Sequence, residues 1–184
     1  MQQGKGFTLI ELLIVIGILA VLAAAVVLVL NPAELLRQAR DTTRISDLAT
    51  LKSAITLYMA TVSSPDLGAC SGTRCTSGTC GAASTSTAVD GSGWIDINFS
   101  TMTGGSPLAA LPLDPNNGVS TCGGTTCRYL YACNETSPIS FEINTNMESV
   151  RYSSGGQNDV ESDDGGDASG CYEVGTNLTL TSSC

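Results

Sequence analysis

Histidine is missing from this chain altogether. That absence removes Ser/His and Cys/His nucleophilic pairs, zinc-hydrolase motifs and the ordinary general base near neutral pH. The glycine-rich stretches lack the Gly-Lys-Ser/Thr ending of a phosphate-binding loop. Paired carboxylates occur, but in a polar loop with nothing apolar nearby to raise a pKa, so no catalytic residue and no enzymatic role are expected. Basic residues are scarce and unevenly placed. Residues 1–53 carry five Lys/Arg against four acids, whereas residues 54–184 carry three against 13. Nucleic-acid affinity comes mainly from basic residues neutralising phosphates, so no nucleic-acid partner is expected. Charge of either sign is absent between Glu11 and Glu34, and no Cys-x-x-Cys pair occurs anywhere.

The uncharged gap is the first positive signal. Leu12 to Leu30 is a run of 19 residues, none more polar than Gly17. As a helix rising ~1.5 Å per residue it is roughly 28 Å long, close to the ~30 Å hydrocarbon core of a bilayer. Glu11 stands at its edge. A carboxylate carried to mid-bilayer costs about 2.5–3.5 kcal/mol, so such a group reads as functional and calls for a partner. A cleaved secretory signal ending near Ala23-Ala24-Ala25 would leave Val26 to Leu30 exposed at a new N-terminus. A plain signal anchor fits the hydrophobicity but not the residues that precede the run. Lys5, the single base before the run, lies on the cytoplasmic side, which puts the remainder of the chain outside.

Those preceding residues are Gly4-Lys5-Gly6-Phe7-Thr8-Leu9-Ile10-Glu11. Followed by the aliphatic helix, they resemble the class III leader and helix start of type IV pilins and type II secretion pseudopilins. The likeness is close from Gly4 to Ala25 and looser to about Ala60. It implies a leader over residues 1–6, cleavage by prepilin peptidase between Gly6 and Phe7, and N-methylation of Phe7. It also implies that Glu11 meets the α-amino group of a neighbouring subunit during assembly. The physical case is independent. Among packed apolar helices a lone carboxylate and a lone ammonium are each costly, and pairing removes both penalties. Only one axial stagger between subunits permits that pairing, so Glu11 is expected to set register.

Residues 7–30 therefore read as the membrane and filament-core half of one long N-terminal helix, and 31–62 as its amphipathic half. Pro32 should kink or interrupt it, or start a new helix with Asn31 as N-cap. It lies a little beyond the family's usual proline. Leu48, Leu51, Ile55, Tyr58 and Val62 recur at spacings of three and four, which puts them on one buried face. Arg37, Arg40, Asp41, Arg44 and Asp47 are expected opposite, facing solvent or other subunits. Residues 63–184 form an exported acidic head. Trp94 to Phe99 alternates like a half-buried strand, and Arg128 to Cys133 with Ile139 to Ile143 reads as an antiparallel pair. The expected fold class is α+β and type IV pilin-like: a long helix packed on a small antiparallel sheet in a disulfide-rich head.

Eight cysteines in an exported head point to disulfides, with 105 pairings open. A local scheme is expected, with bridges inside Cys70/Cys75/Cys80 and inside Cys122/Cys127/Cys133. The cysteine left over in each group is then free to join the other, and Cys171 pairs with Cys184. That last pair resembles the disulfide-bounded C-terminal loop of many type IV pilins. The stretch 158–167 places five carboxylates in a glycine-rich loop that resembles, in place and character, the calcium loop of major pseudopilins. Asp159, Asp163, Asp164 and Asp167 are candidate calcium ligands, although the EF-hand pattern is not met. No other cofactor is implied. Taken together, these readings give a structural subunit of a pilus-like or pseudopilus filament. Its partners would be further copies, prepilin peptidase, the assembly machinery and the inner (cytoplasmic) membrane. Its head would face outward, first from the membrane and then in a cell-surface or extracellular filament. The alternative is a single-pass anchored extracytoplasmic binding domain, calcium-binding or adhesive, that forms no filament.

Overall fold

A computed structural model describes residues 6–184, the side chains of Leu28 and Val29 apart. The leader residues before Gly6, Lys5 among them, lie outside the described residues. The chain divides into two compact units between Leu36 and Arg37.

In the first unit, α1 runs from Leu9 to Leu30. Its described side chains are all exposed, as the composition of a bilayer-facing helix allows. Instead of one continuous helix, a second, α2 (Pro32–Thr61), begins after a single residue. That residue is Asn31, in the left-handed region at φ 39° and ψ 74°. Asparagine tolerates this conformation better than most residues. Its carbonyl and Oδ1 both receive the Glu34 N–H. Pro32 then occupies a first-turn position, where a missing N–H costs nothing and its fixed φ suits the helix.

In the second unit, α2 buries the apolar stripe. Leu48, Leu51 and Ile55 are wholly buried, Tyr58 nearly so, and Val62 half-buried. Burying each large aliphatic side chain is worth about 1.5–3 kcal/mol. The stripe shares one core with Trp94, Ile97, Phe99, Tyr131, Phe141, Ile143 and Val174. The Tyr58 and Phe99 rings meet edge-on at 5.7 Å, and Trp94 Nε1 donates to the Pro112 carbonyl at 2.9 Å.

The sheet is small and mixed rather than purely antiparallel. Its strands are β1 (Arg74–Cys75), β2 (Ala82–Ala83), β3 (Leu130–Asn134), β4 (Ser140–Thr145) and β5 (Tyr172–Gly175), in spatial order β2-β1-β3-β4-β5. Only the two-residue β1/β2 pair is parallel. In β4, Phe141 and Ile143 belong to the apolar core. Glu142 and Asn144 alternate with them and lie on the opposite face, beneath the C-terminal segment. Trp94 to Phe99 is not a strand. It makes one isolated bridge, Asp90 with Asn98, and Trp94 and Ile95 are buried side by side. The segment is a core-filling loop that ends in a short 3-10 turn at Phe99–Thr101.

Four disulfides staple the head: Cys75–Cys80, Cys122–Cys127, Cys171–Cys184 and Cys70–Cys133. The last spans 63 residues and ties the loop after α2 to β3. Closing so long a loop removes much of the unfolded chain's freedom, which suits a head with a small sheet.

Candidate assembly site

Two residues set the geometry at the start of α1. Thr8 is the N-cap, and its Oγ receives the Glu11 N–H at 3.3 Å. The Glu11 carboxylate curls back, so that Oε2 accepts the Thr8 N–H at 2.9 Å and the Thr8 hydroxyl at 2.7 Å. This reciprocal capping box satisfies two groups that a helix start leaves open. It also keeps the acid at the N-terminal level of the helix, with both bonds made through one oxygen among the described residues. Gly6 and Phe7 precede the cap in irregular, exposed backbone, so the Gly6–Phe7 bond lies open to a protease. Leu9–Val27 is long and apolar enough to cross a membrane, with none of the span buried within its own fold. Leu13, Ile14, Gly17, Ile18, Val21 and Leu22 line a shallow apolar groove of about 470 Å³ along it.

A glycine, a phenylalanine, a capped glutamate and an unburied apolar helix thus occur in one continuous stretch. The family model described as the prokaryotic N-terminal methylation motif matches residues 1–27. This N-terminus is of the type IV pilin and pseudopilin family. The motif implies that prepilin peptidase processes the pilin-like chain and that the pilus assembly machinery handles it, and the apolar helix fits a membrane-anchored pilin. No curated protein and no solved structure matches the chain.

The acidic loop of the pilin-like head does not draw its four aspartates together. Asp159 accepts the Gly155 and Ser162 N–H groups at 2.7 and 2.9 Å. Asp164 accepts those of Gly166 and Glu173 at 2.8 and 2.6 Å. Both carboxylates shape the loop, while Asp163 and Asp167 are exposed. Among the described residues, one group of three potential metal-ligand atoms lies within 4.8 Å: Cys122, Cys127 and Glu148. Its two sulfurs are bonded to each other and so offer no thiolate.

The largest departure from the sequence reading is a buried charge network. Asp41 and Arg44, expected on the solvent face of α2, are fully buried. Arg44 grips Asp114 through Nε and Nη2 at 2.7 and 2.8 Å, and its Nη1 reaches Asp41 at 2.7 Å and Glu148 at 3.2 Å. Asp41 accepts the backbone N–H groups of Glu148 and Ser149 at 2.9 and 2.8 Å. Glu148 also takes the Thr121 hydroxyl at 2.6 Å, the Asn116 amide at 3.0 Å and the Arg40 guanidinium. Burial opposes its ionisation, but Arg40, Thr121 and Arg44 together bring its pKa down to about 2. Asp47 is half-buried too, holding the Tyr129 hydroxyl at 2.7 Å. The signal was present in the sequence. Extending the Leu48, Leu51, Ile55 spacing backwards lands on Arg44 and Asp41.

A second buried polar group lies across the sheet. Glu142 accepts the Leu180 and Thr181 N–H groups at 2.7 and 3.2 Å, and Asn144 donates to Glu142 at 3.0 Å and to the Ser183 carbonyl at 3.3 Å. Among the described residues, Glu173 on the adjacent strand accepts the Ala168 N–H at 3.1 Å, and its Oε1 is buried without a partner. Burial, reinforced by Glu142 and Asp164, pushes Glu173 up to about 8. A Cβ at Gly166 would collide with the Glu173 carboxylate, so glycine lets the acidic loop close over this pair.

Proposed function

We propose that the chain is a structural subunit of a type IV pilus-like or type II secretion pseudopilus filament. Its role is architectural, not catalytic. The observation that carries this reading is the capped Glu11 beside the open Gly6–Phe7 bond, at the head of an apolar helix whose described side chains are exposed. Cleavage leaves an α-ammonium on Phe7. Once helices pack away from water, that ammonium and a neighbour's Glu11 carboxylate neutralise one another, and the pairing selects a single stagger. Contacts of this head-to-tail kind do not close on themselves, so they propagate a fibre. Before assembly the same helix anchors the subunit in the inner membrane with the acidic head outside.

Two measurements test the reading. Mass spectrometry of the mature chain should find N-methyl-Phe7 as the first residue. Glu11→Ala should insert into the membrane, be processed and stop yielding filaments. An uncut chain in cells with active peptidase, or full filament yield from Glu11→Ala, overturns it.

A further inference from the structure

The face of the sheet turned away from the apolar core gathers more acceptors than donors. Asn144 on β4 and Glu173 on β5 are directly opposite partners in the ladder, so their side chains rise side by side from one face. Glu142 stands on the same face two residues from Asn144, with its carboxyl in hydrogen-bond reach of the Glu173 carboxyl. Glu142 and Asn144 are wholly buried and Glu173 is 2% exposed.

Glu142 takes the Leu180 and Thr181 N–H groups on one oxygen and the Asn144 amide on the other. Among the described residues, Glu173 Oε1 and Asn144 Oδ1 take nothing, and no arginine or lysine pairs with either glutamate. Turning the Asn144 amide over does not help. Its nitrogen already donates to Glu142 and to the Ser183 carbonyl, and a turned amide would set its oxygen against both. Buried acceptors left bare forfeit their hydration with nothing in return. The acidic loop closes over the same place. Asp164 accepts the Glu173 N–H, and its Oδ1 lies 3.2 Å from the point where a Gly166 Cβ would stand, a point the Glu173 carboxylate also reaches.

A proton can lie between only two of these oxygens. A calcium ion takes six to eight oxygens at about 2.3–2.6 Å, so one ion meets both bare acceptors and separates the two glutamates. We propose that Glu142, Asn144 and Glu173 hold a hard divalent cation of the calcium class against the sheet, beneath the loop that Asp164 closes. Two carboxylates balance its charge, the amide oxygen is a neutral ligand and water completes the shell. Asp163 and Asp167, exposed on the loop, take no part. The ion would tie β4 and β5 to the loop above them and to the C-terminal segment that rests on Glu142 and Asn144. Binding belongs to the head alone and does not depend on filament formation. In the ion-free chain a proton takes its place, the state in which Glu173 is pushed up to about 8.

The full chain in detergent, stripped with a chelator, is titrated with Ca²⁺ by calorimetry and melted with and without it, following Trp94 fluorescence. One ion should bind per chain, and Ca²⁺ at ~100 times its Kd should raise Tm by about 5 °C or more. Glu173→Gln should lose that rise, whereas Asp163→Ala with Asp167→Ala should keep it. A second measurement needs no variant and decides the matter should Glu173→Gln fail to fold. In the unsubstituted chain, Ca²⁺ should slow hydrogen exchange most at Ala168, Leu180 and Thr181, whose N–H groups bond to the two glutamates. Gly155 and Ser162, whose N–H groups bond to Asp159, should change less. No binding, a rise that survives Glu173→Gln or is lost with Asp163 and Asp167, or protection centred on Gly155 and Ser162 overturns the site.

Discussion

Glu148 and Glu173 are both buried glutamates in one head, and the fold treats them in opposite ways. Glu148 meets two guanidiniums, a hydroxyl and an amide, and is brought down to about 2. Glu173 meets one backbone N–H and a second carboxylate, and is pushed up to about 8. Burial penalises the charge at both sites, so what differs is the company. A cation within hydrogen-bond reach outweighs desolvation, whereas a like-charged neighbour adds to it. The first site is therefore held together as ions. At the second, burial together with the neighbouring acids favours the protonated form of Glu173.

The sharpest way to break this contrast is to remove the cation. Arg44→Met leaves Asp41, Asp114 and Glu148 buried without their shared guanidinium, and should cost about 3–5 kcal/mol. Thermal unfolding of the full chain in detergent, followed by Trp94 fluorescence with the disulfides intact, will measure it. A loss below ~1 kcal/mol would mean that the network is wet and contributes little. Titration gives the next largest effect. Glu148 lies lower in the folded state than its ordinary value of 4.5, so its contribution is complete above about 4.5 and is lost as pH falls towards 2. That contribution amounts to roughly 3 kcal/mol. Glu148→Gln should flatten the acid limb of the stability profile. An unchanged limb would place the acid sensitivity elsewhere.

The same contrast explains what was legible in the sequence. The assembly stretch reads directly because its residues are neighbours in the chain. Thr8 caps Glu11 three residues on, and the apolar run follows at once. The α2 stripe reads equally well from its period, as far as Leu48. Beyond that point Arg44 and Asp41 continue the stripe, but they carry charge, and their partners Asp114 and Glu148 are 70 and 104 residues from Arg44. Hydropathy placed them outside although the period placed them on the buried stripe, and their distant partners are what make that burial tolerable. Tyr172–Gly175 escaped for a related reason. It has a glutamate at its second position and a glycine at its end, and it becomes a strand because β4 offers a ladder. Trp94 to Phe99 shows the converse, an alternating segment that finds no ladder and fills the core as a loop.

Glu173 should respond to pH with the opposite sign. Its folded value is raised, so the folded chain holds the extra proton between about 4.5 and 8, and stability falls as pH rises across that window. Glu173→Gln supplies a permanently neutral donor in nearly the same shape. It should stabilise the head at pH 9 by on the order of 1–2 kcal/mol and change little at pH 4. Equal effects at the two pH values would mean that Glu173 carries no extra proton in the fold.

Asp47 completes the series, because its partner is neither a cation nor an acid. Burial raises it and the Tyr129 hydroxyl partly offsets that rise. Tyr129→Phe removes the donor and leaves the ring in the core beside Trp94. It should cost about 1 kcal/mol at pH 7 and move Asp47 further up, since a hydrogen bond to the charged form is lost. The loss should shrink at a pH low enough to protonate Asp47 in both proteins. If it stays the same there, the hydroxyl acts through packing and not through the carboxylate, and the gradation from cation to neutral donor to acid would lose its middle member.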